Sequence, residues 1–448
     1  MWNSRSPLPS HHLHPSRADV VWKSAIVLGL VALVGASLRL GVPPIVVGYL
    51  RGEERWGQGS ILCVVSSALV FLYGAVSFFH AFRYRPIPGV TDDLLPTVSV
   101  IVPAYNEGRM VCEAILSSLA SDYPADKLHV IAIDDGSTDD TWSHIARIAR
   151  AYPERMTALH QPKNRGKREA LHVGFLRARG EVVVTVDSDS KLEPRTLREV
   201  VAPLVRDREI AAVAGKVLVL NRYQSVLTRL LSARFFLTFD FSRAVQSRFG
   251  AVLCCPGALT AYRRSAIMRV LDRWTSQTFL GIPCTIGEDR ALTTWLLRDG
   301  HRSVYQSTAL VHTIVPHTIG GVARMLIRWE RGNVRECVVM LPVLLTKWRS
   351  RDRLWPTLDI VLDLVQFPFG CLLGWIVIER VTSRPLEALG VVATLGVVAF
   401  VQSLYCLRSE KGTDFLYNVG YAFLAAVGLQ WIFPYSCLTI RNGRWLTR

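Results

Sequence analysis

The sequence has no Cys-x-x-Cys pair and no Cys/His set at zinc-ligand spacing, so its nine cysteines mark neither a zinc site nor a dithiol motif. Cys254 and Cys255 are adjacent, a poor geometry for a disulfide with each other, and the cysteines read as reduced cytosolic or membrane-buried thiols. No Gly-x-Gly-x-x-Gly follows the first hydrophobic strand and no Walker lysine loop is present, which leaves dinucleotide and P-loop binding unsupported. Acid is scarce: 36 Asp and Glu stand against 52 Lys and Arg, for a net charge of +16. That surplus suits anionic lipid head groups or an anionic substrate. Nucleic acid would suit it too, but no nucleic-acid-binding motif accompanies it, and no such partner is expected.

What is present in quantity is apolar sequence. Half of the 448 residues are hydrophobic, and they concentrate at the two ends. Ser24–Leu50 and Ser60–Phe82, then Trp355–Ile378, Leu386–Leu407 and Phe415–Ile440, each approach or exceed the roughly 20 residues a bilayer span requires. The first is interrupted by Arg39 and Pro43-Pro44. A long His- and Pro-containing leader precedes it and no small-residue cleavage site follows, so a membrane anchor is expected in place of a cleaved signal. Arg83 and Arg85 flank the second run; Lys347, Arg349, Arg351 and Arg353 precede the third. The positive-inside rule then predicts a multi-pass protein of the cell membrane with its middle on the cytoplasmic side. The expected organisation is a cytoplasmic leader (1–22), two transmembrane helices (23–84), a cytoplasmic domain including interface helices (85–335), and a C-terminal interface and transmembrane region with a cytoplasmic tail (336–448).

The middle alternates strands and helices. "TVSVIVPAYNEG" (97–108), "LHVIAIDDGSTDDT" (128–141) and "EVVVTVDSDSKLEP" (181–194) are β-branched runs that end in turns or acids, and Asp139 is placed to cap the helix after the second. "NRGKREALHVGFLRARG" (164–180) predicts a glycine turn and a helix ended by Gly180. This is an α/β pattern: a mainly parallel sheet with helices on both faces, whose ligands bind beyond the carboxyl ends of the strands. "YQSVLTRLLSARFFLTFDFSRAVQSRF" (223–249) mixes Leu and Phe with Arg229, Arg234, Arg243 and Arg248. It predicts a basic amphipathic helix in the membrane interface, the alternative being a buried helix of the soluble domain.

Three acidic elements carry chemistry. Asp187-Ser188-Asp189 puts two carboxylates at a strand end, where hard oxygen ligands suit Mg²⁺ or Mn²⁺ with a substrate's phosphates completing the shell. Asp135, in the Asp-Asp-Gly-Ser turn, is placed for a nucleoside base or ribose, a role compatible with capping the turn. Glu288-Asp289 follows a glycine and opens an amphipathic helix, where a carboxylate can act as general base on a hydroxyl or simply satisfy the helix dipole. Lys167 and Arg168 open a helix after Gly166, where backbone N–H groups and cations favour a diphosphate. "MLIRWERGNVRE" (325–336) presses three arginines against an apolar stretch too short to cross a bilayer.

Together these residues resemble the family 2 glycosyltransferases, and within them the processive membrane synthases of chitin oligosaccharide, cellulose and hyaluronan. The bacterial hyaluronan synthases are similar in most detail, through "VDSDS", "CCPGALTAYRRSAI", "QTFLGIPCTIGEDRALT", "VYQSTA", the Arg-Trp segment and the ending "YSCLTIRNGRWLTR". The resemblance implies a GT-A (Rossmann-like) fold between transmembrane helices, a metal-bound UDP-sugar and inverting displacement at its anomeric carbon. It further implies that Asp135 contacts uridine, that Asp189 holds the metal on the diphosphate, and that Asp289 is the base. Lys167 would sit near the nucleotide, Arg328 and Trp329 would serve diphosphate and acceptor sugar, and Trp445 and Arg448 would reach the active site. The implied substrates are UDP-N-acetylglucosamine and UDP-glucuronate, polymerised to hyaluronan and exported among membrane lipids. A synthase using UDP-N-acetylglucosamine alone is the near alternative; others are a non-processive transfer to lipid and a non-catalytic nucleotide-sensing membrane protein.

Two departures stand out. Met325 and Leu326 replace residues that are hydrogen-bonding amides in the family's Gln-x-x-Arg-Trp segment, and Leu446 replaces a glycine; either change bears on acceptor handling or product. Pro434 interrupts the last apolar run, and Arg441, Arg444 and Arg448 favour an inside C-terminus, so 415–440 is expected to dip in and return or to pair a short interfacial helix with a span. No sequence feature sets an oligomeric state.

Overall fold

Every side chain of Val98–Ala104 is buried, the pattern of a strand covered on both faces. It is β1 of an eight-stranded sheet in a computed structural model that describes residues 17–42, 44, 47, 60–346, 354–409 and 413–443. Leu128–Asp134 (β2), Met156–His160 (β3), Val182–Thr185 (β4), Ser190–Leu192 (β5), Ile210–Val219 (β6) and Thr260–Arg263 (β7) follow it. Thr278–Phe279 (β8) and Ile282–Pro283 (β9) form a separate hairpin, and Arg302–Thr313 is β10. The sheet order is β3-β2-β1-β4-β7-β6-β10-β5. β3, β2, β1 and β4 run parallel, as do β6 and β10. β7 lies antiparallel between β4 and β6, and β5 antiparallel on β10, so the sheet expected to be mainly parallel is mixed, with four parallel and three antiparallel pairings.

The helices, in chain order, are Arg17–Arg39 (α1), Ser60–Arg83 (α2), Val111–Leu119 (α3), Thr141–Ala151 (α4), Lys167–Arg177 (α5), Thr196–Arg206 (α6), Val226–Phe236 (α7), Ser242–Arg248 (α8), Arg264–Thr275 (α9), Glu288–Arg298 (α10), Ile319–Thr346 (α11), Leu354–Ser383 (α12), Glu387–Ser403 (α13), Tyr417–Leu424 (α14) and Ile432–Leu438 (α15). Ile115, Ile145 and Leu197 of α3, α4 and α6 pack on one face of the sheet. Phe175, Ile267, Trp274 and Leu292 of α5, α9 and α10 pack on the other. The N-cap of α4 is Asp140, one residue after the expected Asp139, which instead accepts from the Thr141 amide at 3.0 Å.

Two local expectations change. The 164–180 helix stops at Arg177, and Gly180 instead lets backbone meet backbone: a Cβ there would lie 2.6 Å from the Ser99 nitrogen. The 223–249 segment is not a surface helix. It comprises α7, one π-helical turn over Leu237–Phe241, and α8, and within 226–248 only Arg248 is exposed. Its arginines take internal partners, Arg229 pairing with Asp19, Arg234 with the Tyr421 hydroxyl at 2.8 Å and Arg243 with the Cys254 carbonyl at 2.9 Å. Two of these partners lie on the apolar ends of the chain, which enclose the segment, and desolvated guanidinium groups need such acceptors.

At the ends, the first apolar helix begins and stops earlier than the apolar run, at Arg17–Arg39. Asp19 in its first turn accepts from the Tyr417 hydroxyl at 2.7 Å and pairs with Lys23 at 2.9 Å, which fixes that start inside the expected leader. Among the described residues Ala18–Arg39 is the one helix long and apolar enough to cross a membrane, with mean hydropathy 2.0. Asp414–Leu429 and Ile432–Leu438 together meet the same measure as a pair bent by 46°, and α13 is a shorter apolar helix. Residues 347–353, whose basic side chains set the expected orientation, lie outside the described residues, as do Arg444, Trp445, Leu446 and Arg448.

Candidate active site

The parallel strands β2, β1 and β4 end together, and each delivers its following loop to one crevice, where ligands of such sheets bind. Asp135 follows β2. Its two carboxylate oxygens accept from the Arg165 and Gly166 amides at 2.9 and 2.8 Å, so it holds the turn that opens α5. Burial raises its pKa, against the pull of those two amides. Gly136 has φ +71° and touches the backbone of Lys163 and Asn164, a position only glycine fits.

Lys167, the first residue of α5, points into the crevice and joins two elements. Its ammonium pairs with Asp187, beyond β4, and lies 3.0 Å from Glu288 Oε1 at the start of α10. Burial works against its charge, but Asp187, Glu288 and Asp289 outweigh it and raise its pKa. Arg168 goes elsewhere. It is buried, donates to the Trp274 carbonyl at 2.6 Å and to Gln277 at 3.4 Å, and stacks 5.1 Å from the Trp274 ring. The expected Lys167–Arg168 diphosphate pair is thus divided: successive helical residues point about 100° apart, and only Lys167 faces the crevice.

Gly287 adopts a left-handed φ of +66° as N-cap of α10, so Glu288 and Asp289 occupy the first helical turn, where the dipole favours anions. Their surroundings then separate them. Glu288 is 4% exposed; burial opposes its ionisation, but Lys167 and then Arg328 override it and lower its pKa. Asp289 is half-buried, accepting from the Gly257 amide at 3.1 Å and the Arg290 amide at 2.7 Å. Burial and the Glu288 charge raise its pKa, with Lys167 opposing. An ionised acid locked to a lysine beside a more basic, accessible one is the division of labour a general base requires.

Asp189 accepts from the Thr313 hydroxyl at 3.3 Å, which orients one of its oxygens. Among the described residues no group of three His, Cys, Asp or Glu side chains is arranged as a protein-only metal cage. The donor set nevertheless fits a hard divalent ion. Asp187 and Asp189 offer oxygen ligands, while Asp187, Glu288 and Asp289 surround Lys167 and Arg328 lies near Glu288.

Helix α11 closes the site. Gly287 and Gly332 meet backbone to backbone, a Cβ on Gly287 coming 3.1 Å from the Gly332 Cα. One turn earlier Arg328 lies near Glu288, and Trp329 packs tilted against Phe235 and edge-on against Phe239, ring centroids 5.7 and 5.9 Å away. Phe239 belongs to the π-helical turn, where Asp240 pairs with Lys216 at 2.7 Å and accepts from the Tyr305 hydroxyl at 3.1 Å. Met325 and Leu326 are 5% and 4% exposed in the apolar core, so this departure from the family pattern serves packing.

Several residues here escaped the motif reading. Gly257 supplies the amide that holds Asp289, and a Cβ on it would lie 2.6 Å from Lys167 Nζ and 2.9 Å from Asp187 Oδ1. Arg335 donates to the Ile286 carbonyl at 2.8 Å and to Glu336 at 2.9 Å, and Gln277 donates to Glu336 at 3.0 Å, anchoring the β8–β9 hairpin. Their signal lay in the blocks "CCPGAL", "QTFLGIP" and "VRE", which show no chemistry by residue type.

Residues 96–332 match the family described as glycosyltransferase like family 2. An N-acetylglucosaminyltransferase from Rhizobium leguminosarum bv. viciae is 32% identical over 87% of this chain and 93% of its own. One from Azorhizobium caulinodans is 32% identical over 85% of this chain and 95% of its own. Among solved structures, a mannosyltransferase from Pyrobaculum calidifontis in complex with GDP-Man and Mn2+ shares the fold, with TM-score 0.57 and 23% identity over 82% of this chain and 97% of that one.

Proposed function

The chain belongs to the family 2 glycosyltransferases, with a GT-A-like α/β fold, and we propose that it is a membrane-embedded, processive N-acetylglucosaminyltransferase that uses UDP-N-acetylglucosamine. The observation that carries this reading is the likeness to N-acetylglucosaminyltransferases over most of both chains, joined to an acid pair split into a locked and an accessible carboxylate. The narrower expectation of a hyaluronan synthase draws no support from those relatives, and UDP-glucuronate is not retained as a donor.

In the proposed reaction Asp289 takes the proton from an acceptor sugar hydroxyl as that oxygen attacks the anomeric carbon. The bond from that carbon to the diphosphate oxygen breaks, UDP departs with the electron pair, and the new linkage is inverted. Glu288 stays ionised and keeps Lys167 in the crevice, where Lys167 and Arg328 offset charge growing on the leaving diphosphate. Asp135 keeps the 163–166 turn against the nucleotide end of the crevice. Asp187 and Asp189 would hold Mg²⁺ or Mn²⁺, which when bound supplies charge neutralisation for the diphosphate. The indole of Trp329, buttressed by two phenylalanines, offers a flat apolar face to an acceptor sugar.

Membrane embedding is supported by the apolar helix Ala18–Arg39 and the bent pair over 414–438; α15 of that pair packs against α11, so the polymer end would lie beside helical, apolar surroundings. The test is to incubate membranes carrying the protein with Mg²⁺ and labelled UDP-N-acetylglucosamine, with and without UDP-glucuronate, and digest the product with chitinase or hyaluronidase. A chitinase-sensitive polymer from the single donor is expected. A polymer that forms only with both donors would overturn the proposal.

A further inference from the structure

Arg331 lies on α11 three residues after Arg328 and is 2% exposed. Its Nε and Nη2 donate to the Thr439 hydroxyl at 3.1 and 2.9 Å, its Nη1 donates to the Asn442 carbonyl at 3.4 Å, and the Tyr435 ring centroid is 5.8 Å away. All of these contacts belong to the segment that ends the described chain. A buried guanidinium is costly to desolvate unless its donors are used, and here one stretch of chain uses them.

The same stretch is held from a second side. Thr285 donates its hydroxyl to the Gly443 carbonyl at 2.7 Å, and a side chain added at Gly443 would run into that hydroxyl. Thr285 stands two residues before Gly287 and four before Asp289. The loop between them is already fixed to α11 by Arg335 on the Ile286 carbonyl and by the Gly287–Gly332 contact. Three pieces far apart in sequence therefore meet: the loop carrying the acid pair, the Arg-Trp helix, and Thr439–Gly443.

We propose that Arg331 and Thr285 are positioning residues that dock Thr439–Gly443 against the acid-pair loop, so that sugar transfer depends on where the chain's last helices place that segment. Neither residue touches the nucleotide end of the crevice, which is built from Asp135 and the turn at 163–166. Losing the dock shifts the acid-pair loop and leaves the nucleotide contacts alone. The activity part of this proposal rests on the N-acetylglucosaminyl transfer proposed above; the docking itself does not.

The experiment uses the full chain in detergent or nanodiscs with Thr285→Val and Thr439→Val, and the hydroxyl-retaining Thr285→Ser and Thr439→Ser. Two quantities are read: steady-state kinetics with UDP-N-acetylglucosamine, and amide hydrogen exchange of 439–443. The valine variants are expected to lose roughly tenfold in kcat with the nucleotide-sugar KM within about twofold, since small misplacements act on turnover, and to exchange 439–443 faster. The serine variants are expected to recover both. Wild-type kcat in the valine variants, unchanged exchange, or a defect that serine does not rescue would overturn the proposal. If Thr439→Val fails to fold, Thr285→Val decides, because it reaches the segment through one carbonyl. A wild-type chain inactive on this donor sinks the functional reading, and the exchange result still settles the docking.

Discussion

The ammonium of Lys167 lies 3.0 Å from the Glu288 carboxylate, joining the helix after the turn held by Asp135 to the helix that carries Asp289. Lys167, with Arg328, overrides burial and lowers the pKa of Glu288, and it opposes the rise that burial and the Glu288 charge cause at Asp289. Lys167→Met removes a cation that favours the ionised Asp289. The acid limb of the kcat/KM profile should therefore move to higher pH, with a raised KM for the nucleotide sugar. A limb that stays in place would dissociate Lys167 from the base.

Glu288→Gln acts with the opposite sign. Removing a neighbouring negative charge eases ionisation of Asp289, so the acid limb should move to lower pH even as turnover falls. Rates measured across pH at saturating donor give the comparison, and the two variants should displace the limb in opposite directions.

Asp289→Asn keeps the acceptor for the Gly257 amide and removes the base. Loss of a positioned general base costs roughly 10²- to 10⁴-fold in rate, and UDP affinity, read by calorimetry, should be unchanged on the proposal that Asp135 and the 163–166 turn hold the nucleotide. Activity surviving near the wild-type level would exclude Asp289 as the base.

Gly257→Ala places a methyl group 2.6 Å from the Lys167 ammonium and 2.9 Å from Asp187. The Lys167–Asp187 pair must then open or the loop must retreat from Asp289. Activity should fall by more than tenfold on the scale of misplaced catalytic groups, about 100-fold per ångström, with circular dichroism unchanged. Retained activity would mean the crevice has slack that the geometry does not show.

Lys216→Met tests the support beneath Trp329. Lys216 and Asp240 are 9% and 4% exposed, and stripping one partner from a buried pair typically costs about 3–5 kcal/mol. Thermal unfolding should shift down accordingly. Lys216→Met with Asp240→Asn should recover much of the loss, since no uncompensated charge remains. A single variant as stable as wild type would show that water reaches the pair.

The strands and their acidic ends were legible because a buried strand must be a β-branched run and a catalytic acid must follow it. Asp135, Asp187 and Asp189 were singled out that way, whereas Asp289 was singled out as part of an acid pair opening a helix and Lys167 as the residue after a glycine turn. Arg168 was misplaced because adjacency in sequence says nothing about which face of a helix a side chain takes. The arginines of 223–249 did not name their partners for a related reason: a basic, apolar helix has the same pattern whatever acceptors it finds, here Asp19 and the Tyr421 hydroxyl. Gly257, Gly332 and Thr285 carried no readable signal, since their roles are a backbone amide, a missing side chain and one hydroxyl.

The sequence by itself determined the α/β alternation, the apolar ends, the acids at the strand ends and the family to which they belong, because periodicity and residue chemistry are local. Which of two neighbouring acids is locked and which is accessible was decided only by tertiary structure. Lys167, Gly257 and Arg328 come from three distant parts of the chain, and the charges and amide they bring to Glu288 and Asp289 exist only where the fold brings them together.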